Sequence, residues 1–353
     1  MTQHTWLSFE DGIAVQREGL ETSIATVRDW LGSGAADHLR GRSLLLAGIG
    51  ASHAAAATPA YALRENGIRA YRSSCADVPD AGADLADVYV GISQSGRSRE
   101  TLQALLTVPR ERRVAVVNHA GSPLEDQAGT VLSVGDLDDS RMSSIGFTAT
   151  VAALGMLGDY LSRGAVGPGW DDLAATAEAA VREHDDVLRA FGARVAAAGT
   201  VDLAAAAPDL TAAEQGALLF REGPSLPSTA MDTRSYLHGP MDCAGSTTSH
   251  VLLGREREAL LAGQLSEKGV PVLLVVDLDA DEVEFGTTAD TSAVSVVRLP
   301  ALPPAQRVVV QVALLQQLVL HTARALGRDV EDRAFTRYDT KVDSVQQVLA
   351  GTP

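Results

Sequence analysis

Cysteine is nearly missing from this chain: Cys75 and Cys243 are the two thiols among 353 residues. Two cysteines cannot build a disulfide framework, so a reducing cytoplasm is the expected setting. Positive charge is scarce as well. Twenty-nine Lys and Arg stand against 45 Asp and Glu, a net charge of −16, which argues against nucleic acid and anionic membranes as partners. No apolar run approaches the roughly 18 residues that span a bilayer. The start, Met1-Thr2-Gln3-His4-Thr5-Trp6, lacks the basic residue and apolar core of a secretory signal. Metal-ligand spacing is absent too, because the histidines are scattered and no Cys pair lies near them. Asp277-Leu278-Asp279-Ala280-Asp281 starts like a calcium loop, but Glu282 and Thr288 replace the glycine and the bidentate glutamate it needs. No metal or cofactor is expected. With 46% hydrophobic and 21% charged residues, disorder is excluded, and the length suggests two domains with a core each.

What the chain does carry is Gly91-Ile92-Ser93-Gln94-Ser95-Gly96-Arg97-Ser98-Arg99-Glu100-Thr101, after the apolar run Val88-Tyr89-Val90 and before Leu102, Leu105 and Leu106. A strand that ends in Ser-Gln-Ser-Gly and feeds a helix aims hydroxyls and unpaired backbone N–H groups at one spot. The helix dipole adds positive potential there, so the loop suits a phosphate or a similar anion. A net negative chain must hold such an anion by local groups. A plain Ser/Gly helix cap would use the same residue types.

Two similar halves alternate apolar strands with helices. The first has a helical stretch over 20–31, a strand at 43–47, an Ala-rich helix over 54–66, and strands near 68–71, 88–92, 114–117 and 131–134. A Gly/Pro-rich linker at 164–170 leads to a helix near 173–191. The second half repeats the order, with strands at 200–205, 249–253, 270–276 and 294–297, and a helix over 304–326. Near-continuous apolar strands such as Val270-Pro271-Val272-Leu273-Leu274-Val275-Val276 imply α/β architecture, with parallel sheets covered on both faces. The expected domains are 1–165 and 171–328, with a tail over 329–353.

Gly48-Ile49-Gly50 after the first strand could open a dinucleotide site. His53 takes the place of the third glycine, and no acidic residue closes the strand near 68–71. The four ordered elements together instead resemble the sugar isomerase (SIS) domain family. Ser93-Gln94-Ser95 with Ser98 is similar to its phosphate loop, and Gly50 and Ser52 match its Gly-x-Ser element. Glu214-Gln215-Gly216-Ala217-Leu218-Leu219-Phe220-Arg221-Glu222 and Leu237-His238-Gly239-Pro240 resemble motifs of the isomerase half of glucosamine-6-phosphate synthase. The spacing from Glu222 to His238 (238 − 222, or 16 residues) is also the family's.

The resemblance implies two tandem SIS domains, each a doubly wound, flavodoxin-like parallel sheet. It also implies a sugar-phosphate substrate held without a cofactor. Glu222 would move a proton between C1 and C2, and His238 would open the sugar ring, reaching the site from the second subunit of a homodimer. Lys341 would be the family's terminal lysine, which contacts the sugar carbonyl; a solvated tail lysine is the other reading. Arg141 and Ser143, with Arg97, would add contacts to the anion.

The departures narrow the activity. Leu219, Leu237 and Ser235 replace two lysines and a glutamate of the synthase, and no glutaminase segment with its early cysteine is present. The expectation is therefore a phosphosugar aldose–ketose isomerase, or an isomerising deaminase or deglycase. An enzyme for C6-sulfonated sugars and a non-catalytic sugar-phosphate sensor are the alternatives.

Overall fold

The computed structural model describes residues 6–79, 84–277, 283–286, 290–332, 335 and 339–350. The calcium-like stretch noted above lies largely outside them, at 278–282 and 287–289. The chain forms two compact units. One comprises Met1–Leu7, Ala14–Ala174 and Ala334–Pro353, the other Ser8–Ile13 and Ala175–Arg333.

The first unit holds five parallel strands, β1 (Leu44–Gly48), β2 (Ala70–Ser74), β3 (Val88–Ser93), β4 (Arg113–Val117) and β5 (Thr130–Ser133), in the order β2-β1-β3-β4-β5. The second unit repeats the plan with β6 (Val201–Ala205), β7 (Ser228–Asp232), β8 (Ser249–Leu253), β9 (Val272–Asp277) and β10 (Val294–Leu299), in the order β7-β6-β8-β9-β10. Every residue of β1, β3, β8 and β9 is buried. Helices on both faces exclude water from these strands, which is why their sequences show no polar alternation.

In this strand order the chain leaves β1 toward one face of the sheet and β3 toward the other. A crevice opens between the two loops at the carboxyl ends of the strands, the place where open α/β sheets bind ligands. The same switch point recurs between β6 and β8.

Several elements differ from the sequence reading. The Ala-rich helix is two helices, Ala51–Ala55 and Ala57–Glu65, and β2 begins at Ala70. The helices Ile145–Arg163 and Arg257–Ser266 and the strand β7 add to the elements expected from the sequence. Ile145–Arg163 is buried around most of its circumference and so shows little amphipathic period. Together with Pro304–Leu326 it is long and apolar enough to cross a membrane by composition, contrary to the expectation of no such run. With 78% and 83% of their most apolar windows buried inside the fold, both are core helices.

The tail carries structure of its own. Ser344 and Gln347 form a capping box that starts a short helix, Val345–Leu349. Val342 and Val348 sink into the first unit's core beside Tyr89, Leu102 and Leu124. Each buried valine contributes roughly 1.5–2 kcal/mol. The Arg97–Asp343 ion pair joins the same segments, but its side chains are 40% and 83% exposed, and such surface pairs add less than about 1 kcal/mol. Apolar burial is what holds the tail.

Candidate active site

The serine loop sits at the carboxyl end of β3 and turns directly into the helix Arg99–Leu106. Gly96 makes the turn possible. Its φ of 61° favours glycine, and a Cβ there would lie 2.0 Å from Ser122 Oγ and 2.3 Å from Ser122 Cβ. Across the crevice, β1 ends at Gly48, where a Cβ would lie 2.6 Å from the Ser52 carbonyl carbon. That close approach brings the helix carrying Ser52 back onto the strand end. Gly50 is exposed and Ser52 half-buried there.

The hydroxyls of the loop are oriented by one another. Ser93 Oγ, buried, donates to Ser98 Oγ at 3.1 Å. Ser98 is thereby an acceptor within the fold, and its own O–H is left to point elsewhere. Ser95 Oγ accepts from Lys341 Nζ at 2.8 Å and from the Arg97 amide at 3.4 Å, so its O–H is likewise left for another acceptor. The Arg97 guanidinium donates to the Asp343 carboxylate.

Gln94 and Ser143 meet through a residue that sequence reasoning missed. Asp139, 2% exposed, accepts hydrogen bonds from the Ser140 amide (2.9 Å), the Ser144 amide (3.0 Å), Ser144 Oγ (3.1 Å) and Ser143 Oγ (2.6 Å), with Gln94 Nε2 at 3.5 Å. A carboxylate that gathers this many donors braces the whole segment before Ile145. Ser143 spends its hydroxyl hydrogen on that brace. Arg141 is exposed on the same loop. His119, also missed, lies 3.2 Å by its Nε2 from Gln94 Nε2 and 3.6 Å by its Nδ1 from Asp136. The usable signals are an Asp directly before the serine-rich stretch Ser140 to Ser144 and an Asn-His pair directly after β4.

Glu222 and His238 belong to the second unit. Glu222 is half-buried at the last position of the helix Leu210–Glu222, and the following Gly-Pro-Ser turn is clasped by Arg328, which donates to the Pro224 and Ser225 carbonyls. His238 is exposed just past the five-residue helix Thr233–Leu237. So short a helix has no stability of its own. Its two buried residues, Thr233 and Tyr236, pin it.

Thr233 Oγ1 donates to Glu258, a buried carboxyl whose pKa burial raises. Tyr236 Oη lies 2.6 Å from His250 Nε2. His250 is fully buried, and desolvation pushes its pKa down to about 4 against the opposing pull of the nearby Asp202 carboxylate. After β8 the chain reads Gly254-Arg255-Glu256-Arg257-Glu258 in place of serines. A Cβ on Gly254 would meet the Glu258 carboxylate at 2.5 Å. The serine loop at β3 has no counterpart at this second switch point.

No protein-family model and no curated protein matches the chain. Solved structures do. The C-terminal domain of glucosamine-fructose-6-phosphate aminotransferase from Francisella tularensis superposes with a TM-score of 0.80 at 18% identity, covering 94% of this chain and 99% of that one. Tagatose-6-phosphate ketose/aldose isomerase from Escherichia coli gives 0.75 at 15%, covering 96% and 100%. Glucosamine-6-phosphate deaminase from Thermotoga maritima gives 0.74 at 17%, covering 93% and 98%. At these identities the likeness is one of fold. The chain has the two-domain α/β architecture of the phosphosugar isomerases and deaminases, the SIS fold that its motifs resemble.

Proposed function

We propose that this chain is a cytoplasmic isomerase of C6-phosphorylated sugars, acting by proton transfer between C1 and C2. The observation that carries the reading is the serine loop at the β1/β3 switch point. There Ser95 and Ser98 each accept a hydrogen bond from the protein and keep an O–H to donate. Oriented neutral donors above a helix N-terminus are what a sugar-phosphate dianion requires. Gln94, turned by His119 and Asp139, and Ser52, held against β1, complete the rim.

In this reading His238 delivers a proton to the ring oxygen while the anomeric hydroxyl gives up its own to solvent, which opens the cyclic sugar to the carbonyl form. Glu222 then removes the C2 proton of the aldose to give an enediolate and returns it to C1 to give the ketose. With a 2-amino sugar, the same transfer yields a C2 imine, and attack of water on it releases ammonia. His238 is exposed in the single chain, which suits a residue that completes the site of a second copy in a homodimer. Such sharing makes the dimer the catalytic unit.

The test is a panel of C6-phosphorylated and C6-sulfonated ketoses, aldoses and amino sugars in D2O, read by deuterium exchange at C1 of the ketoses and at C2 of the aldoses and amino sugars, and by ammonia release. Exchange with a phosphorylated member supports the proposal. Binding of phosphorylated sugars with no exchange anywhere in the panel would replace it with the sensor reading, and exchange confined to sulfonated members would reassign the anion.

A further inference from the structure

The terminal lysine has a position that its resemblance did not anticipate. Residues 340–342 pair antiparallel with the serine loop. The Arg99 amide donates to the Thr340 carbonyl at 3.2 Å, the Val342 amide donates to the Arg97 carbonyl at 2.9 Å, and Lys341 bridges Ser98. Arg99 adds side-chain bonds to the Asp339 carbonyl (3.0 Å) and the Gln347 carbonyl (3.1 Å). Val342, 2% exposed, and Val348, 8% exposed, anchor the chain on the C-terminal side of Lys341, and the bonds to Asp339 and Thr340 hold it on the other. Lys341 therefore stands on a strand held at both ends, with its ammonium 2.8 Å from Ser95 Oγ.

From this placement we infer that Lys341 is the cation of the anion site and belongs to substrate binding, not to chemistry at the sugar carbonyl. The inference rests on the proposed function and specifies which part of the substrate Lys341 meets. Three arguments converge on it. The loop otherwise offers neutral donors, and the chain's net charge of −16 repels a dianion. Of the arginines in the loop, Arg97 faces Asp343 and Arg99 is spent on tail carbonyls.

The third argument concerns the direction of the hydrogen bond. An ammonium can only donate, so Ser95 Oγ must accept from Lys341, and the Ser95 O–H is turned toward the ligand with its acidity raised by the adjacent charge. The tail thus supplies the charge and sets the donor that the loop presents.

Inorganic phosphate is the probe, measured by isothermal titration calorimetry on the full chain at two salt concentrations. Wild-type protein should bind it. Lys341→Met should weaken binding roughly ten- to a hundredfold, the worth of one charge-assisted hydrogen bond, with a shallower salt dependence. Lys341→Arg should recover most of the affinity, because the charge is what matters. Unchanged far-UV circular dichroism and unfolding midpoint for Lys341→Met would show that Val342 and Val348 still dock the tail.

A second arm incubates wild-type protein with fructose 6-phosphate and borohydride, and intact mass should show no reduced adduct. If Ser95→Ala abolishes phosphate binding while Lys341→Met retains it, the lysine's role is overturned and the anion loop stands. A reduced adduct mapped to Lys341 would overturn it equally. If wild-type protein binds no phosphate, the anion site itself fails, and with it the reading on which this inference rests.

Discussion

Replacing Gly96 with alanine tests the geometry of the serine loop more sharply than removing any of its hydroxyls. The new Cβ would sit 2.0 Å from Ser122 Oγ and 2.3 Å from Ser122 Cβ. Rotating Ser122 about χ1 moves only the oxygen, so the Cβ contact forces backbone to shift. Ser122 is 2% exposed and caps the helix Pro123–Gln127 through a reciprocal box with Glu125, so it has little room to retreat. The Gly96 amide and carbonyl are also committed, to Ser93 at 2.9 Å and Leu124 at 3.0 Å.

Forced overpacking of this kind costs roughly 1–3 kcal/mol. Holding a non-glycine residue at a φ of 61° costs roughly 1–2 kcal/mol more. The sum, about 2–5 kcal/mol, corresponds to a fall of roughly 4–20 °C in the unfolding midpoint of a domain this size. The double variant Gly96→Ala/Ser122→Gly separates the two contributions. It removes the clash for a few tenths of a kcal/mol of lost capping and should recover the steric share while leaving the φ share. Thermal and urea unfolding at pH 7, with phosphate titration alongside, provide the assay. A Gly96→Ala protein within about 0.5 kcal/mol of wild type and equal to it in phosphate affinity would refute the packing argument.

Three other outcomes are expected. Glu222→Gln should leave sugar-phosphate binding near wild type, cut turnover by roughly 10²–10⁴ and abolish solvent exchange at C2; exchange at the wild-type rate would remove Glu222 from the chemistry. Mixing inactive Glu222→Gln with inactive His238→Ala should restore activity through the one intact site of each mixed dimer, whereas mixtures that stay silent despite subunit exchange would place His238 in its own chain's site. His250 is held neutral by burial, with its pKa near 4 against an ordinary 6.5. Below pH 6.5 the unfolded chain therefore takes up a proton that the folded one refuses, and stability is lost as pH falls from 6.5 toward 4, by about 3 kcal/mol in all. Urea midpoints at pH 7 and pH 4.5 should show that loss in wild type and a smaller one in His250→Gln; equal losses would place the acid sensitivity elsewhere.

Much of this architecture is legible in the chain itself. The strands β1, β3, β4, β8 and β9 announce themselves because a strand covered on both faces is apolar along most of its length, without polar alternation. The serine loop is legible because its residue types are polar where a strand end should stay apolar. The helix Leu210–Glu222 ends where Gly223-Pro224 follows it, a local stop signal that needs no tertiary context.

The helix Ile145–Arg163 was not legible, since burial around its circumference erases the period that identifies a helix. Nor were the partners of the site. Asp139, His119, Glu258 and His250 gain their meaning from groups distant in sequence, and no local pattern states which donors a buried carboxylate or imidazole will meet. Lys341 marks the boundary most clearly. Its residue type and approximate register can be read from the chain, but only the docking of Val342 and Val348 into the first unit's core decides that its ammonium rests on Ser95, because a tail's position is determined by long-range burial that leaves no periodic trace in twelve residues of sequence (339–350).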